Sequence, residues 1–350
     1  MIIKLLDNTL EEKYEEFLLG IPESLFFASN KLRHFLREFL GAEDAYFLSI
    51  DENGNIVAAL PSFLKKNDEL GNVLNSLPFY GSNGGIIETG HDEHARLQLL
   101  QAYYAYANQK RCVSSTIISS PLSPLDDFYE VNTSYTLKDS RIGQLTPLPD
   151  KGISVDDSVM KVIHYKTRNL VRKAQKLEIT IDDSESQENM DFLISTHHEN
   201  MRAIGGLPKP ENFFRLVPVY FQYGTDYKIY TARHEGKLIA AVLVFYFNKT
   251  VEYFTPVIKA EYRNFQPMSL LIFEAMKDAV VKGFHWWNWG GTWISQGGVY
   301  HFKSQWGTRD INYYYYTRIF ETKILEKTKE ELLQNYPYFF VAPFNALVSH

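Results

Sequence analysis

A repeated unit constrains the fold of this chain more than any other feature of its sequence. Residues 46–66 and residues 227–249 follow the same plan, with a strand, a tight turn and a second strand. Gly54 and Gly236 stand in the turns, and the apolar segments that follow them, IVAAL and LIAAV, nearly coincide. The sequence therefore predicts two β-hairpins of common design, one in each half of the chain.

Each predicted hairpin is followed by further extended chain, a helix and a strand. The expected helix and strand cover residues 92–109 and 115–119 in the first half, and residues 267–282 and 284–289 in the second half. A repeat of a whole α/β unit indicates duplication. Hairpins mixed with helices predict an α+β fold in which two mixed, largely antiparallel sheets are flanked by helices.

The length of 350 residues suits two domains. A segment punctuated by proline and aspartate, residues 145–157, separates the repeats, so we expect domains over residues 1–150 and 151–350. The second domain opens with a basic helix predicted over residues 159–176, and two more helices are expected over 187–203 and 211–220. It closes with an aromatic tail, residues 336–348, that is predicted to pack on the body of the protein.

Charge and composition exclude several classes of function. The net charge of −6 disfavours a sequence-independent nucleic-acid binder, which is normally basic overall. Cys112 is the single cysteine, so no intramolecular disulfide can form, and a reduced, cytoplasmic setting is expected. No run of about 18 apolar residues exists, so no transmembrane segment is predicted. Peripheral membrane contact remains open.

Lys303 is the first candidate for catalysis. It lies within residues 288–307, NWGGTWISQGGVYHFKSQWG, after two glycine pairs and among aromatic residues. A cation amid apolar side chains meets a lower dielectric than water, so it acts more strongly on developing negative charge. The oxyanion of an acyl transfer would be such a charge. An ordinary surface lysine is the alternative interpretation.

The sequence lacks the motifs of several other mechanisms. No GxSxG nucleophile elbow, Walker A loop or GxGxxG fingerprint is present. Neither histidine pair, His197 with His198 or His91 with His94, comes with a full set of metal ligands, so no metal is expected.

Direct attack by a bound amine on an activated acyl donor fits better than covalent catalysis. His197 and Glu199 are the candidate general bases.

Several segments resemble the FemAB-like branch of the GNAT acyltransferase superfamily, whose members carry two tandem GNAT-like domains. The similar segments are KGFHWWNWGG and VYHFKSQWG near the end of the chain, KTRNLVRKAQK at 166–176, THHENMRAIGGLPKP from 196, and PFYGSNGGI from 78. The resemblance covers about residues 50–320. It implies that both repeats are GNAT-like domains, and that Lys303 occupies the place of a lysine used in catalysis or phosphate binding.

The resemblance also implies a donor site. A GNAT domain holds the diphosphate of an acyl-coenzyme A at a helix N-terminus, where free N–H groups and the helix dipole favour anions. The second-half helix has no acid in its first turn, whereas the first-half helix opens with Asp92 and Glu93, so charge favours the second half. The usual glycines of the donor loop are missing. The expected donor-binding residues are Arg263, Gln266, Met268 and Ser269. Acyl-coenzyme A is expected as a co-substrate rather than a tightly bound cofactor.

The acceptor is expected to be acidic. Arg168 and Arg172 share a helix face and can grip an anion such as a nucleotide-sugar diphosphate. Tyr80 and Asn83 lie in a loop that could hydrogen-bond a sugar, although a plain turn is equally consistent with Asn-Gly-Gly. The other expected substrate-binding residues are Arg202, Asn288, Thr292 and Tyr300.

The sequence thus predicts a cytoplasmic N-acyltransferase that moves an acyl group from acyl-coenzyme A to an amine of an amino sugar or cell-envelope precursor, such as one of peptidoglycan or polysaccharide. Two alternatives stay open. One is an aminoacyl-tRNA-dependent transferase that extends a peptidoglycan bridge. The other is a non-catalytic protein that binds glycans or envelope precursors, including those linked to a nucleotide or a lipid. DNA is not an expected partner. The acyl group, the acceptor and the oligomeric state are not determined by the sequence.

Overall fold

The computed structural model describes residues 1–78, 83–293 and 295–347. The chain folds into two compact units. Unit 1 contains Met1–Ile142 and the chain from Asn312 onward, and unit 2 contains Gly143–Ile311. The chain after Asn312 thus lies with unit 1, whereas the sequence suggests that it belongs to the domain that begins at residue 151.

Unit 1 begins with a short strand and two short helices and continues through a series of mostly short strands. Its elements before the crossing into unit 2 are β1 (Ile2–Leu5), α1 (Glu11–Leu19), α2 (Asn30–Leu40), β2 (Glu43–Asp44), β3 (Phe47–Ile50), β4 (Ile56–Leu60), β5 (Phe63–Lys65), β6 (Asn72–Asn75), β7 (Ile87–Glu88), α3 (Glu93–Gln109), β8 (Cys112–Ile118), α4 (Asp126–Asn132) and β9 (Leu137–Pro147).

Unit 2 is richer in helix, and the chain leaves it along its last long strand. The elements are α5 (Val155–Val162), α6 (Tyr165–Lys176), β10 (Thr180–Asp182), α7 (Gln187–Ala203), α8 (Glu211–Tyr220), β11 (Tyr227–His234), β12 (Lys237–Phe247), β13 (Thr250–Ile258), α9 (Pro267–Val281), β14 (Trp286–Thr292) and α10 (Gly297–Ser304). The chain returns to unit 1 along β15 (Arg309–Ile319), and unit 1 also contains α11 (Lys329–Asn335).

The strands of unit 1 form two sets around α3. One sheet has the order β1-β3-β4-β7 and is antiparallel. The other strands have the order β15-β8-β6-β5-β2, in which β6 and β8 are parallel. The buried face of α3 supplies Leu99 and Tyr103 to the apolar core, and the Tyr103 hydroxyl donates to the Leu74 carbonyl at 3.0 Å.

The sheet of unit 2 has the order β10-β11-β12-β13-β14-β9. Neighbouring strands are antiparallel from β10 to β13, whereas β13 and β14 are parallel. Helix α9 packs its apolar face on β12 and against α6, and α7 packs on β12 and β13. The core between α9 and the sheet is built from aliphatic residues and from the tryptophans of β14, Trp287 and Trp289.

The repeated hairpins form where the sequence predicts them. The first joins β3 to β4, and Gly54 has a φ of +81° in its turn. The second joins β11 to β12, and Gly236 has a φ of +77°. Only glycine adopts such angles without a steric cost. The predicted helices over 187–203 and 211–220 also have the predicted bounds, as α7 and α8.

The prediction of one continuous basic helix over residues 159–176 was wrong. Two helices, α5 and α6, replace it, and the chain is extended at Ile163 and His164 between them. The His164 side chain accepts the backbone N–H of Lys166 at 3.3 Å, which caps α6. The His164 backbone N–H donates to the Gln305 carbonyl at 2.9 Å. A tertiary contact therefore breaks a segment whose local sequence favours helix.

The aromatic tail packs on unit 1, as the sequence predicts for it, over its described residues. Tyr336 is fully buried and its hydroxyl donates to the Gly71 carbonyl at 2.7 Å. The Asn75 side chain forms hydrogen bonds with both backbone groups of Phe340, at 2.8 and 2.7 Å. The Phe340 ring lies 4.7 Å from that of Tyr315. Among the described residues no helix combines the length and apolar character needed to cross a bilayer.

Gly307→Ala should destabilise unit 2. Gly307 has a φ of +71°, and a Cβ at this position would lie 2.4 Å from the Val162 carbonyl oxygen. The left-handed backbone and the overlap should together lower the free energy of unfolding by at least about 2 kcal/mol. Chemical denaturation measures the change.

The matched control is Gly297→Ala, at a helical glycine with open space around it. This change should leave stability equal or raise it by about 0.5–1 kcal/mol, because alanine favours helix. Equal effects of the two substitutions would contradict the close approach at Gly307.

Candidate active site

Strands β13 and β14 of unit 2 start as a parallel pair and then separate. Among the described residues they pair only from Thr250 to Glu252 on β13 and from Trp286 to Asn288 on β14. Strand β13 nevertheless continues to Ile258, paired with β12, and β14 continues to Thr292. Beyond Glu252 and Asn288 the two strands no longer pair with each other. Side chains bind some of their backbone groups, as Asn200 binds both groups of Ile258 and Asn288 binds the Gly290 N–H, and the remaining groups that face the opening can bind an extended ligand.

A β-bulge changes the direction of the β13 side chains where β13 and β14 separate. The register with β12 shifts between Leu243 and Val244, which leaves Phe254 as an extra residue on β13. Beside it, three buried polar atoms have no hydrogen-bond partner among the described residues: Glu252 Oε1, Thr255 Oγ1 and Asn288 Nδ2. Buried polar groups are nearly always satisfied, so unsatisfied atoms at one end of a strand pair indicate a place for a polar ligand.

Glu252 is the carboxyl group at the separation point. Its side chain is buried, with 3% of the residue exposed, and its backbone is in register with that of Asn288. Burial raises the pKa of Glu252 to about 8, because the charged form loses its hydration, and the nearby Asn288 amide opposes this rise only in part. A carboxyl group with a pKa near neutrality is suited to accept a proton.

Lys303 is a buried cation of unit 2. It lies near the C-terminal end of α10, and 7% of the residue is exposed. Its ammonium donates to the Thr292 hydroxyl at 2.9 Å and to the Gly291 carbonyl at 3.3 Å, both at the end of β14. An ammonium has three donors, so one N–H remains without a partner among the described residues. Burial lowers the pKa of Lys303 to about 8.

A chain of hydrogen bonds holds the partner of Lys303. Thr292 Oγ1 donates to Gln144 Oε1 at 3.2 Å, and Gln144 Nε2 donates to the Tyr300 carbonyl at 3.4 Å. A second chain fixes the neighbouring tryptophans, since Trp289 Nε1 donates to Thr146 Oγ1 at 2.9 Å and Thr146 donates to the Trp306 carbonyl at 2.9 Å. Side chains on β9 and β14 thus fix α10, and with it the ammonium.

Glu252 and Lys303 both have partners on strand β14. Glu252 is in register with Asn288, and Lys303 binds Gly291 and Thr292 on the same strand. Gly291 is the third residue after Asn288, which is a rise of about 10 Å along a strand. A carboxyl group and an ammonium, each with its pKa displaced toward neutrality by burial, therefore lie along one strand of an opening sheet. Such displaced pairs are typical of catalytic sites.

The start of α9 offers an anion site. Gln266, with a φ of +61°, precedes Pro267, and no side chain caps the helix. The first turn contains no acid. The start of α3 in unit 1 differs, because the Asp92 carboxylate accepts the N–H groups of His94 and Ala95 at 2.9 and 3.1 Å. Pro267 has no N–H, and the N–H groups of Ser269 and Leu270 donate to the Gln266 carbonyl at 3.1 and 3.4 Å. Among the described residues, the Met268 N–H is therefore the one in the first turn of α9 that is left open to an anion, whereas Asp92 occupies the start of α3.

The predicted donor-binding residues lie together at this helix start. Arg263 is exposed, and its carbonyl accepts the Gln266 backbone N–H at 3.2 Å and the Gln266 side-chain amide at 3.0 Å. Met268 is half-buried, and Ser269 is buried with its N–H donating to the Gln266 carbonyl at 3.1 Å. A 3₁₀ turn, Ala260–Phe265, stands where the glycines of a GNAT donor loop would be.

The predicted bases His197 and Glu199 have other contacts. His197 Nε2 accepts the Lys209 backbone N–H at 2.9 Å, and burial lowers the pKa of His197 to about 4, so its ring is neutral and fixes the loop after α7. Glu199 is about half exposed and forms an ion pair with Lys259 at 2.6 Å. Glu199 and Arg202 line an open polar groove on α7 with Glu211 and Arg215. No contact among the described residues joins either base to Lys303.

The remaining predicted substrate residues are dispersed. Arg168 is half-buried on α6 and donates from Nε to the Ile163 carbonyl at 3.1 Å, and Arg172 is exposed one turn further on. The Tyr300 hydroxyl donates to Asp310 at 2.6 Å. Asn83 belongs to unit 1 and is buried. Tyr80 lies outside the described residues. The roles of these residues as ligands stay predictions.

Glu252 was missed by the sequence analysis. A signal was present, because Glu252 is the one acid within residues 250–258, which belong to the extended chain that the sequence predicts after the second hairpin. Strand alternation alone does not show that both faces of β13 are covered, by α9 on one side and by α7 on the other. The parallel register with β14, which sets Glu252 against Asn288, depends on pairing that only the fold reveals.

Residues 158–304 match the family model of the acetyltransferase (GNAT) domain. This segment falls within unit 2 and contains Glu252, the start of α9 and Lys303. This part of the chain is therefore similar to a GNAT acetyltransferase domain. No curated protein matches the chain by sequence.

Solved structures show the same fold over nearly the whole chain. FemX superposes with a TM-score of 0.73 at 13% identity and covers 96% of this chain and 100% of its own. A tandem GNAT protein from the clavulanic acid biosynthesis pathway gives 0.55 at 9% identity, over 90% of this chain and 97% of its own. A domain assigned to a lysylphosphatidylglycerol synthetase of Agrobacterium fabrum gives 0.53 at 12% identity, over 88% and 91%. The predicted α+β fold of the tandem GNAT type and the predicted resemblance are confirmed.

A comparison of the wild type with Lys303→Met should show how far the buried ammonium lowers the free energy of unfolding. The folded-state pKa of about 8 lies below the value of about 10.4 in an unfolded chain, so the unfolded chain holds more protons between these values. The wild-type free energy of unfolding should therefore rise relative to that of the variant between about pH 8 and pH 10.4. Below pH 8 the buried charge costs up to about 3 kcal/mol, so the variant should be at least as stable there.

Urea denaturation at pH 7 and pH 10 measures this difference. The matched control is Lys237→Met, which removes an exposed ammonium at the start of β12. Its charge costs little to hold in water, so the control should not change the pH dependence. A stability difference between wild type and Lys303→Met that is the same at both pH values would show that Lys303 is not desolvated.

Proposed function

We propose that the chain is an N-acyltransferase that moves an acyl group from an acyl-coenzyme A to an amine by direct attack. The observation that carries the proposal is the buried Lys303 ammonium, which keeps one N–H without a partner among the described residues at the end of β14, along the strand from the buried Glu252. A protein gains no stability from a desolvated charge with so few partners. Retention of such a charge is therefore best explained by chemistry.

Each group has a defined part in this reaction. Glu252 takes a proton from the acceptor ammonium, so that a neutral amine attacks the thioester carbonyl. The C–N bond forms, and Lys303 stabilises the oxyanion of the tetrahedral intermediate. The C–S bond then breaks, and the same cation stabilises the departing thiolate. The thiolate takes the surplus proton of the former amine nitrogen, so the products are the neutral amide and the free thiol of coenzyme A. The Met268 N–H and the dipole at the start of α9, with Arg263 upstream, bind the diphosphate of the donor.

The acceptor is an amine on an acidic molecule, such as an amino sugar or a cell-envelope precursor that carries phosphate. Arg168 and Arg172 supply the positive charge on α6. Thr255 and Asn288, whose polar atoms lack partners among the described residues, lie where β13 and β14 separate and supply hydrogen bonds to the donor or the acceptor.

The second candidate function is an aminoacyl-tRNA-dependent transfer to a peptidoglycan precursor. One observation favours it, since a 3₁₀ turn without glycine stands before α9. Thermal unfolding in the presence of each ligand separates the candidates, because a ligand that binds only the folded state raises its apparent stability. Acetyl-coenzyme A should raise the midpoint. A rise with aminoacyl-tRNA alone would favour the second candidate, and a rise with glycans alone would favour a non-catalytic binding protein.

Glu252→Gln should lower kcat by about 10²- to 10⁴-fold, because the amide cannot accept a proton. In the wild type, Glu252 must lose its proton to act and Lys303 must keep its own, and both pKa values lie at about 8, so activity should pass through a maximum near pH 8. The variant should lose the rise on the acid side of this maximum. Steady-state acyl transfer between pH 6 and pH 9.5 measures both effects. Glu199→Gln is the comparison, because Glu199 is the other candidate carboxylate. A larger loss in Glu199→Gln than in Glu252→Gln would contradict the assignment.

Gln266→Glu should weaken the binding of the acyl donor without lowering the stability of the protein. A carboxylate at the start of α9 interacts favourably with the helix dipole, so the free energy of unfolding should stay equal or rise by about 0.3–1 kcal/mol. The same charge repels a diphosphate, so the Kd for acetyl-coenzyme A should rise about tenfold or more. Calorimetric titration measures the affinity.

Gln187→Glu places the same charge at the start of α7 and serves as the control. Its affinity for acetyl-coenzyme A should equal that of the wild type. Equal affinities of all three proteins would place the diphosphate away from α9.

A further inference from the structure

Helix α6 carries an unbalanced charge. Its twelve residues, YKTRNLVRKAQK, include Lys166, Arg168, Arg172, Lys173 and Lys176 and no acid. None of these five cations forms an ion pair with another described residue. The nearby acid Asp156, on α5, is paired instead with Lys277 of α9 at 3.0 Å. The whole chain has a net charge of −6, so this helix differs in sign from the rest of the molecule.

The cations of α6 lie on its exposed side. Thr167, Val171 and Ala174 are buried against the core that α9 shares, whereas four cations are exposed. We call the exposed set, Lys166, Arg172, Lys173 and Lys176, the basic face of α6. At 100° per residue these four span an arc of about 120°, and the helix is about 18 Å long. The basic face is thus broad and gently curved rather than a groove.

Apolar side chains adjoin the basic face. On α6 itself, Tyr165 is 57% exposed and Leu170 is 37% exposed. The hydrogen bond from His164 to the Gln305 carbonyl joins the start of α6 to the end of α10. On α10 and just before it, Val299, Phe302 and Trp293 are 45%, 38% and 41% exposed. Exposed aromatic residues beside lysine and arginine are typical of surfaces that rest in a membrane interface.

We propose that the basic face of α6 binds the surface of an anionic lipid bilayer. A charged membrane attracts basic residues only within about 10 Å at ordinary ionic strength, so one basic helix can dock although the molecule as a whole is acidic. A flat surface can meet all four cations at once, while Tyr165 and Leu170 contact the headgroup region. The proposal does not depend on the acyl-transfer reaction, but it would bring Lys303, on the adjacent α10, close to acceptors carried by the bilayer.

Vesicle co-sedimentation tests this binding. The full chain should bind vesicles of equal parts phosphatidylglycerol and phosphatidylcholine, and it should not bind vesicles of phosphatidylcholine alone. High salt should weaken the binding because the charges are exposed. The variant Lys166→Gln, Lys173→Gln, Lys176→Gln should bind on the order of a hundredfold more weakly. Arg172 is left unchanged because it is a predicted acceptor ligand.

The control variant removes the same amount of charge elsewhere, with Lys4→Gln, Lys237→Gln and Lys323→Gln at exposed lysines. It should bind the anionic vesicles as the wild type does. Circular dichroism and thermal unfolding check that both variants fold. Equal binding by the two triple variants, or no binding of the wild type to anionic vesicles, would overturn the proposal. Binding of a short RNA duplex by the wild type without binding to vesicles would also overturn it, and would assign the basic face to nucleic acid.

Discussion

The buried ammonium of Lys303 is the interaction on which the functional account depends. A charge taken out of water is costly unless its partners compensate, and here a hydroxyl and a carbonyl oxygen replace its hydration. Burial therefore lowers the pKa of Lys303 to about 8. The ammonium is held in place by the links from Thr292 to Gln144 and from Gln144 to the chain of α10. The result is a preorganised donor for negative charge, which is what an acyl transfer requires.

The sheet of unit 2 provides the space that a ligand of the Lys303 ammonium needs. A parallel pair of strands that separates after three residues leaves two backbone edges unpaired, and a protein normally avoids this because each unpaired N–H and C=O is costly. Glu252, Asn288 and Thr255 add polar atoms at the same place that no described residue satisfies. The open strand edges, the buried carboxyl group and the uncapped start of α9 all become satisfied if an extended thioester with a diphosphate group binds to unit 2.

The sequence predicted much of the fold because its local signals agree. The two hairpin turns carry glycine at positive φ, and α7 and α8 begin and end where hydrophobic periodicity places them. The helix predicted over residues 159–176 failed for the opposite reason. Residues 163 and 164 have no helix breaker in the local sequence, and a hydrogen bond to the distant Gln305 interrupts the helix.

The candidate site was predictable only in part. Aromatic neighbours suggested that Lys303 is buried, and the acid content of the helix starts distinguished α9 from α3. Glu252 was not predicted, since its importance depends on its register with Asn288 and on helices that cover both faces of β13. His197 drew attention as one of two adjacent histidines, yet its ring accepts a backbone N–H and positions a loop. Residue type indicates which groups can perform the chemistry, and packing determines which of them are free to do so.

A crystal structure of the protein with coenzyme A would test the central claim most directly. The account predicts that the diphosphate lies at the start of α9 and contacts the Met268 N–H, that the pantetheine arm lies between β13 and β14 beyond Glu252, and that the thiol ends within reach of Lys303 Nζ. Coenzyme A bound elsewhere on the molecule, or bound at α9 with its thiol directed away from Lys303, would contradict it.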